Sequence, residues 1–171
     1  VAGADINVAD AWKLTAGNPE VIVAIVDEGV KYPHPDLAAN MWINPNPSPE
    51  YKNQDIHGWN FAADGPISWG QKGDSGHGTH VAGTVAAVNN NGIGVCGVAG
   101  GTGKGDGVRL MSCQIFSGDL TGDALVSSRA VKYAADHGAS ILQCSWGIKA
   151  GIYTSDNMFI KQSPMDYEAL Q

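Results

Sequence analysis

VIVAIVDEGV, Val21–Val30, decides how this chain is read. Its first six residues, Val21 to Val26, form a continuous apolar run rich in β-branched side chains. Such a run predicts a strand buried on both faces, as in a parallel sheet covered by helices. The run stops at Asp27-Glu28-Gly29, so Asp27 is expected at the strand tip with a partly desolvated carboxylate; a turn or capping aspartate is the plainer reading of the same residue. Upstream, Val8 to Leu14 behind Asn7 predicts a helix closed by Gly17-Asn18-Pro19. Downstream, Lys31 to Gly73 is dense in Pro, Asn, Gly and Trp, and the Asn-Pro steps at Asn44 and Asn46 forbid helix, so a long irregular region is expected. Then His77 to Val88 carries Val81, Ala82, Val85 and Val88 at helical spacing, and Val108 to Phe116 reads as a second strand. Asp123 caps a helix over Ala124 to His137 with Gly138 as its stop, and Ala139 to Ser145 is the third strand. The alternation of strand and helix predicts an α/β fold with a parallel sheet and right-handed crossovers. Active sites in such sheets form at the carboxyl ends of the strands. Asp27, Phe116 to Gly118 and Ser145 to Gly147 would share that edge.

The composition is that of an ordinary globular chain: 171 residues, 43% hydrophobic and 16% charged. With 17 acidic against 10 basic residues the net charge is −7, which excludes a protein built to grip a nucleic-acid backbone. No apolar run approaches the roughly 20 residues needed to span a bilayer, and no export signal is visible from Val1 onward. The 23 glycines imply many tight turns. Cys96, Cys113 and Cys144 are odd in number and lack zinc-type spacing, which favours buried free thiols over a metal or redox role. Met165 to Gln171 reads as a helix just beginning, so residues 1–171 are expected to be the N-terminal portion of a larger domain.

GHGTHVAGT, Gly76 to Thr84, sets His77 between two glycines at a helix start. The glycines leave room for a substrate at the imidazole, histidine is the natural base at neutral pH, and an aspartate that fixes its tautomer completes the pair. Together with AIVDEGV (Ala24 to Val30), HPDL (His34 to Leu37), GIGVCGVA (Gly92 to Ala99) and ILQCSWG (Ile141 to Gly147), this motif resembles the subtilisin-like serine proteases, motif by motif and in order along nearly the whole chain. The resemblance implies a parallel-sheet, three-layer subtilisin-like fold, truncated at its C-terminal side. It implies that Asp27 orients and His77 is the general base of a serine triad, with His80 structural. It further implies that Ser145, Trp146 and Gly147 form an extended edge beside the substrate, with Gly118 to Gly122 as the opposite wall; for the latter a plain turn stays equally open. Asp36 matches a calcium ligand of the family, and Asn90, Asn91, Ile93 and Val95 lie in the loop that supplies further oxygens, one residue longer than its common form. Peptide or protein substrates, an inhibitory pro-segment and a secreted or cell-envelope location are implied by the same analogy.

Three departures stand out. Glu28 occupies the place of a customary Ser or Thr, Trp146 that of a smaller aliphatic residue, and neither the GTSMA-type serine motif nor the Gly-Asn oxyanion motif occurs within residues 1–171. Gly73-Asp74-Ser75-Gly76 mimics the nucleophile segment of trypsin-like proteases without its context, and Ser145 belongs to the substrate edge rather than to a strained elbow. The chain alone is therefore expected to be inactive, and its truncated sheet to drive self-association. A catalytically silent peptide-binding fragment or pseudoenzyme is the alternative. The G-x-G-x-x-G match at Gly92 to Gly97 opens no helix and carries no nucleotide reading. A metallohydrolase using Asp27, His34, Asp36, His77 and His80 is the remaining rival, although no H-E-x-x-H glutamate lies between the last two.

Overall fold

The computed structural model describes residues 3 and 5–147. Five strands form one sheet: β1 (Ile22–Glu28), β2 (Gly58–Asn60), β3 (Arg109–Ser117), β4 (Leu120–Thr121) and β5 (Ile141–Gln143). The order is β2-β3-β1-β5, all parallel, while β4 folds back antiparallel on the end of β3. Helix α1 (Val8–Ala11) precedes the sheet, α2 (His77–Ala86) connects β2 to β3, and α3 (Ala124–Asp136) connects β3 to β5.

Strand β1 explains the layering, because successive side chains point to opposite faces. Val23 and Ile25 pack with Val81, Ala82 and Ala86 of α2 in one core. Ala24 and Val26 pack with Ala130, Tyr133 and Ala134 of α3 in the other. Both faces are covered, as the continuous apolar run requires, and the expected parallel α/β sheet of three layers is present. The crossover through α2 runs from β2 to β3 over one face, and the one through α3 runs from β3 past β1 to β5 over the other. That order leaves the carboxyl end of β1 flanked by those of β3 and β5, where α/β sheets place their sites.

Several boundaries differ from expectation. Strand β1 does not stop at Val26 but continues through Asp27 and Glu28, since β3 goes on pairing with it; a register irregularity falls between those two acids. The irregular region from Lys31 to Gly73 contains an unforeseen edge strand, β2, paired to β3. The rest of that region is anchored by Asp55, fully buried, which accepts hydrogen bonds from Asn44 Nδ2 (2.8 Å), Ser48 N (3.0 Å) and the Tyr133 hydroxyl (3.0 Å). Helix α1 is four residues long rather than reaching Leu14, and β5 spans three residues rather than Ala139 to Ser145. Of the three thiols Cys113 is buried, Cys144 half-buried and Cys96 exposed, so the expectation of buried thiols fails at Cys96. The helix start expected at Met165 to Gln171 lies outside the described residues. Among the described residues no helix is long and apolar enough to cross a membrane.

Candidate active site

Asp27 shares the parity of Val23 and Ile25, so its side chain belongs to the α2 face of the sheet. There it is 1% exposed. Its Oδ1 accepts the Glu28 amide at 2.7 Å and lies 2.7 Å from His77 Nδ1, and its Oδ2 is buried with no partner among the described residues. His77 is the first residue of α2, and its side chain is 47% exposed. The helix comes this close because residue 78 is glycine: a Cβ there would lie 2.0 Å from the Glu28 carbonyl oxygen.

With Nδ1–H donating to Asp27, the neutral imidazole presents the lone pair of Nε2 outward. The hydrogen bond that His77 donates to Asp27 raises the His77 pKa above its usual 6.5; partial burial opposes this, and the charges of Asp27 and Glu28 add to it. A base held this way, with a buried anion behind it and solvent in front, can take a proton from a hydroxyl presented to Nε2 and return it to a leaving group.

The adjacent acid is placed differently. Glu28 Oε2 accepts the backbone N–H of His77 at 2.9 Å, Oε1 accepts the Ser75 hydroxyl at 2.9 Å, and the Ser75 amide lies 3.2 Å from both oxygens. Burial alone would push its pKa up, but these donors outweigh it and hold the carboxyl below its usual value. Nothing in the local sequence announces this arrangement, because its partners lie almost fifty residues away. The one available signal is a carboxylate where the resemblance expects a hydroxyl.

The flanking strands bring two further aromatic groups to this edge. Trp146 Nε1 donates to the Val26 carbonyl at 2.7 Å, and its ring meets Phe116 edge-on at 6.1 Å. Phe116 near the end of β3 and Trp146 beyond the end of β5 therefore meet across the end of β1. Ser145 Oγ accepts from Gln143 Nε2 at 2.9 Å, and Gly147 is exposed. Gly118 donates its N–H to Asp74 Oδ1 at 2.6 Å; Gly118 and Asp119 form a turn, after which Leu120 and Thr121 pair back on the end of β3 as β4 and Gly122 follows. Neither Ser75 nor Ser145 directs its hydroxyl to His77: the first is bound to Glu28 and the second to Gln143.

The other expected site lies on the loop after α2. Asp36 is 3% exposed; its Oδ1 accepts Asn91 Nδ2 at 2.7 Å and its Oδ2 the Val95 amide at 2.8 Å. Asn91 Oδ1 accepts the Ile93 amide, and Asn90 turns away to donate to the Thr102 carbonyl. Asn90, Asn91, Ile93 and Val95 nevertheless line one concavity of about 290 Å³. His34 and His80 line a separate groove with Asp36, away from the Asp27–His77 pair. Among the described residues no three His, Cys, Asp or Glu side chains converge as metal ligands, so the metallohydrolase arrangement does not form.

This pairing, at the end of an inner strand of a parallel sheet, is accompanied by a family match. Residues 18–169 match the subtilase family, and the chain belongs to that family. It is 33% identical over 142 residues to halolysin of Haloferax mediterranei, covering 83% of this chain and 24% of that one. It is 32% identical over 146 residues to thermitase of Thermoactinomyces vulgaris, covering 85% of this chain and 44% of that one. Among solved structures, the serine protease of Aeromonas sobria, determined with a chaperone, superposes with a TM-score of 0.59 at 25% identity, over 98% of this chain and 25% of that one. The chain thus spans less than half the length of these relatives.

Proposed function

We propose that the protein containing this chain is a subtilisin-like serine endopeptidase, in which Asp27 and His77 work with a serine contributed from outside residues 1–171. The observation that carries the reading is the 2.7 Å contact between the buried Asp27 carboxylate and Nδ1 of a histidine whose ring opens to solvent. In the reaction, His77 Nε2 removes the serine hydroxyl proton as the oxygen attacks the scissile carbonyl. It then protonates the leaving amine, and Asp27 stabilises the transient imidazolium. Water repeats the sequence on the acyl-enzyme. Ser145, Trp146 and Gly147 would offer backbone to an extended substrate on one side, with Gly118 and Gly122 on the other. Peptides or proteins are the substrates, and secretion with an inhibitory pro-segment follows the family analogy.

Calcium is assigned to Asp36 and the loop carrying Asn90, Asn91, Ile93 and Val95. The residue types suit a hard cation, since the Asp36 carboxylate, buried and with no Lys, Arg or His ion-pair partner among the described residues, and the carbonyl oxygens of Asn90, Asn91, Ile93 and Val95 are oxygen donors, although the loop atoms that meet Asp36 are the Asn91 amide nitrogen and the Val95 N–H. When bound, the ion would supply structural charge compensation and no chemistry.

The test is a fluorophosphonate probe, which modifies activated serines, followed by intact mass. The 171-residue chain is expected to stay unmodified, whereas the longer natural protein acquires one adduct that His77→Ala abolishes. Labelling should rise with pH through the raised His77 value, because only the neutral ring is a base. An adduct on Ser75 or Ser145 of the short chain would overturn the assignment of the nucleophile. A longer protein that never labels would be a silent peptide binder.

A further inference from the structure

The dipeptide Asp27-Glu28 grips His77 at two points. Asp27 Oδ1 holds the ring at Nδ1, and Glu28 Oε2 holds the backbone N–H of the same residue. We infer that Glu28 is a positioning residue, a helix cap supplied from the neighbouring strand that fixes the first turn of α2 so that the His77 imidazole stays in register with Asp27. The inference rests on the proposed role of the Asp27–His77 pair and deepens it.

The need for such a group follows from the helix itself. The first N–H groups of an α-helix have no partner within it, and a Ser, Thr, Asp or Asn side chain at the N-cap normally accepts one of them. The N-cap of α2 is Gly76, which has no side chain and sits in the left-handed region at φ 78°. The acceptor must come from elsewhere, and Glu28 provides it together with negative charge at the positive end of the helix dipole. Ser75, immediately before the cap, is held by the same carboxylate through both its amide and its hydroxyl.

The strand geometry points the same way. Alternation along β1 assigns position 27 to the α2 face and position 28 to the α3 face. The carboxylate of Glu28 nevertheless lies at the start of α2, and the register break between Asp27 and Glu28 falls where the alternation is abandoned. Two neighbouring acids thus divide one histidine between them, ring to one and backbone to the other. Asp27 and Glu28 are the charged groups that act on the His77 ring.

Nuclear magnetic resonance on the 171-residue chain tests this without needing turnover. In the unmodified chain the His77 amide proton is expected downfield at neutral pH. Because the folded Glu28 value lies below the ordinary 4.5, these bonds are intact above pH 4.5 and are lost as pH falls through the lowered value. Glu28→Ala should remove both the downfield position and the acid step, and should move the His77 ring titration downward, towards 6.5. Glu28→Gln keeps the volume and an acceptor but not the charge, and carries the test if the alanine variant does not fold: the acid step disappears while the His77 amide stays downfield, and the ring titration falls by less than in a folded Glu28→Ala. A His77 amide without an acid step in the unmodified chain, an acid step that persists in Glu28→Gln, or a ring titration that falls equally in folded Glu28→Ala and Glu28→Gln, as loss of charge alone would give, would overturn the inference. Asp27→Asn in the same titration separates this from the underlying reading. If the ring midpoint fails to fall in Asp27→Asn, the Asp27–His77 pairing itself is wrong; if it falls there but not on loss of Glu28, only the positioning role is lost.

Discussion

Three buried or half-buried acids, Asp27, Glu28 and Asp36, show how residue type and environment divide labour. Asp27 lies where strand parity directs it onto a helix start, and its position was legible because an apolar run ending in an acid has few plain explanations once a histidine motif follows. Glu28 was legible only as an oddity, since its donors at Ser75 and His77 are nonlocal. Asp36 was legible by motif, yet the atoms that meet its oxygens are the Asn91 amide nitrogen and the Val95 N–H. A carboxylate 3% exposed without a cationic partner among the described residues is costly in charge terms, even with two hydrogen bonds. Calcium should therefore stabilise the chain: at a concentration one hundred times its dissociation constant the gain is about 2.7 kcal/mol. Thermal unfolding with calcium and with chelator measures this, and Asp36→Asn should remove most of the difference. Melting curves that coincide with and without calcium would count against the site.

At the scale of elements, long periodic segments were readable and short ones were not. Strands β1 and β3 and helices α2 and α3 each carry enough residues for pattern to outweigh noise. Strand β2 is only Gly58-Trp59-Asn60, embedded in a turn-rich stretch; Gly58 adopts φ 120°, and a Cβ there would stand 1.9 Å from the Ser112 carbonyl oxygen, so close pairing to β3 replaces any propensity signal. Helix α1 stops early, at Ala11, and beyond it Trp12 donates its indole N–H to the Val98 carbonyl while Leu14 is exposed. Capping divides the two helices: Asn7, the N-cap residue of α1, makes no side-chain cap hydrogen bond, whereas Asp123 does at α3. Asp123 accepts the Val126 amide at 2.8 Å and opens α3, which carries Ala130, Tyr133 and Ala134 into the core. Asp123→Ala should cost about 1 kcal/mol in denaturant unfolding, with an unchanged dependence on denaturant concentration. A variant as stable as the parent would mean that packing of α3 alone sets its start.

The whole molecule is asymmetric in how well its surfaces are covered. Strand β2 lies at one edge of the sheet, and at the other edge β5 pairs with β1 on one side only among the described residues. Ile141, on β5, is 50% exposed and Leu142 37%, and Leu125 and Val131 of α3 are exposed as well. An edge strand with exposed apolar side chains is a template for further pairing. Since this chain covers only 24% of halolysin and 44% of thermitase, those relatives have additional polypeptide with which such a surface could be covered. Left to itself, the 171-residue chain is expected to use a second copy: its mass by light scattering should rise with concentration. A single lysine at Ile141 should suppress the rise, because a charge on an edge strand disfavours pairing without touching either core. A chain that stays monomeric at every concentration would show that the exposed edge is too short or too twisted to pair, and the association proposal would fall while the arrangement of Asp27 and His77 stood.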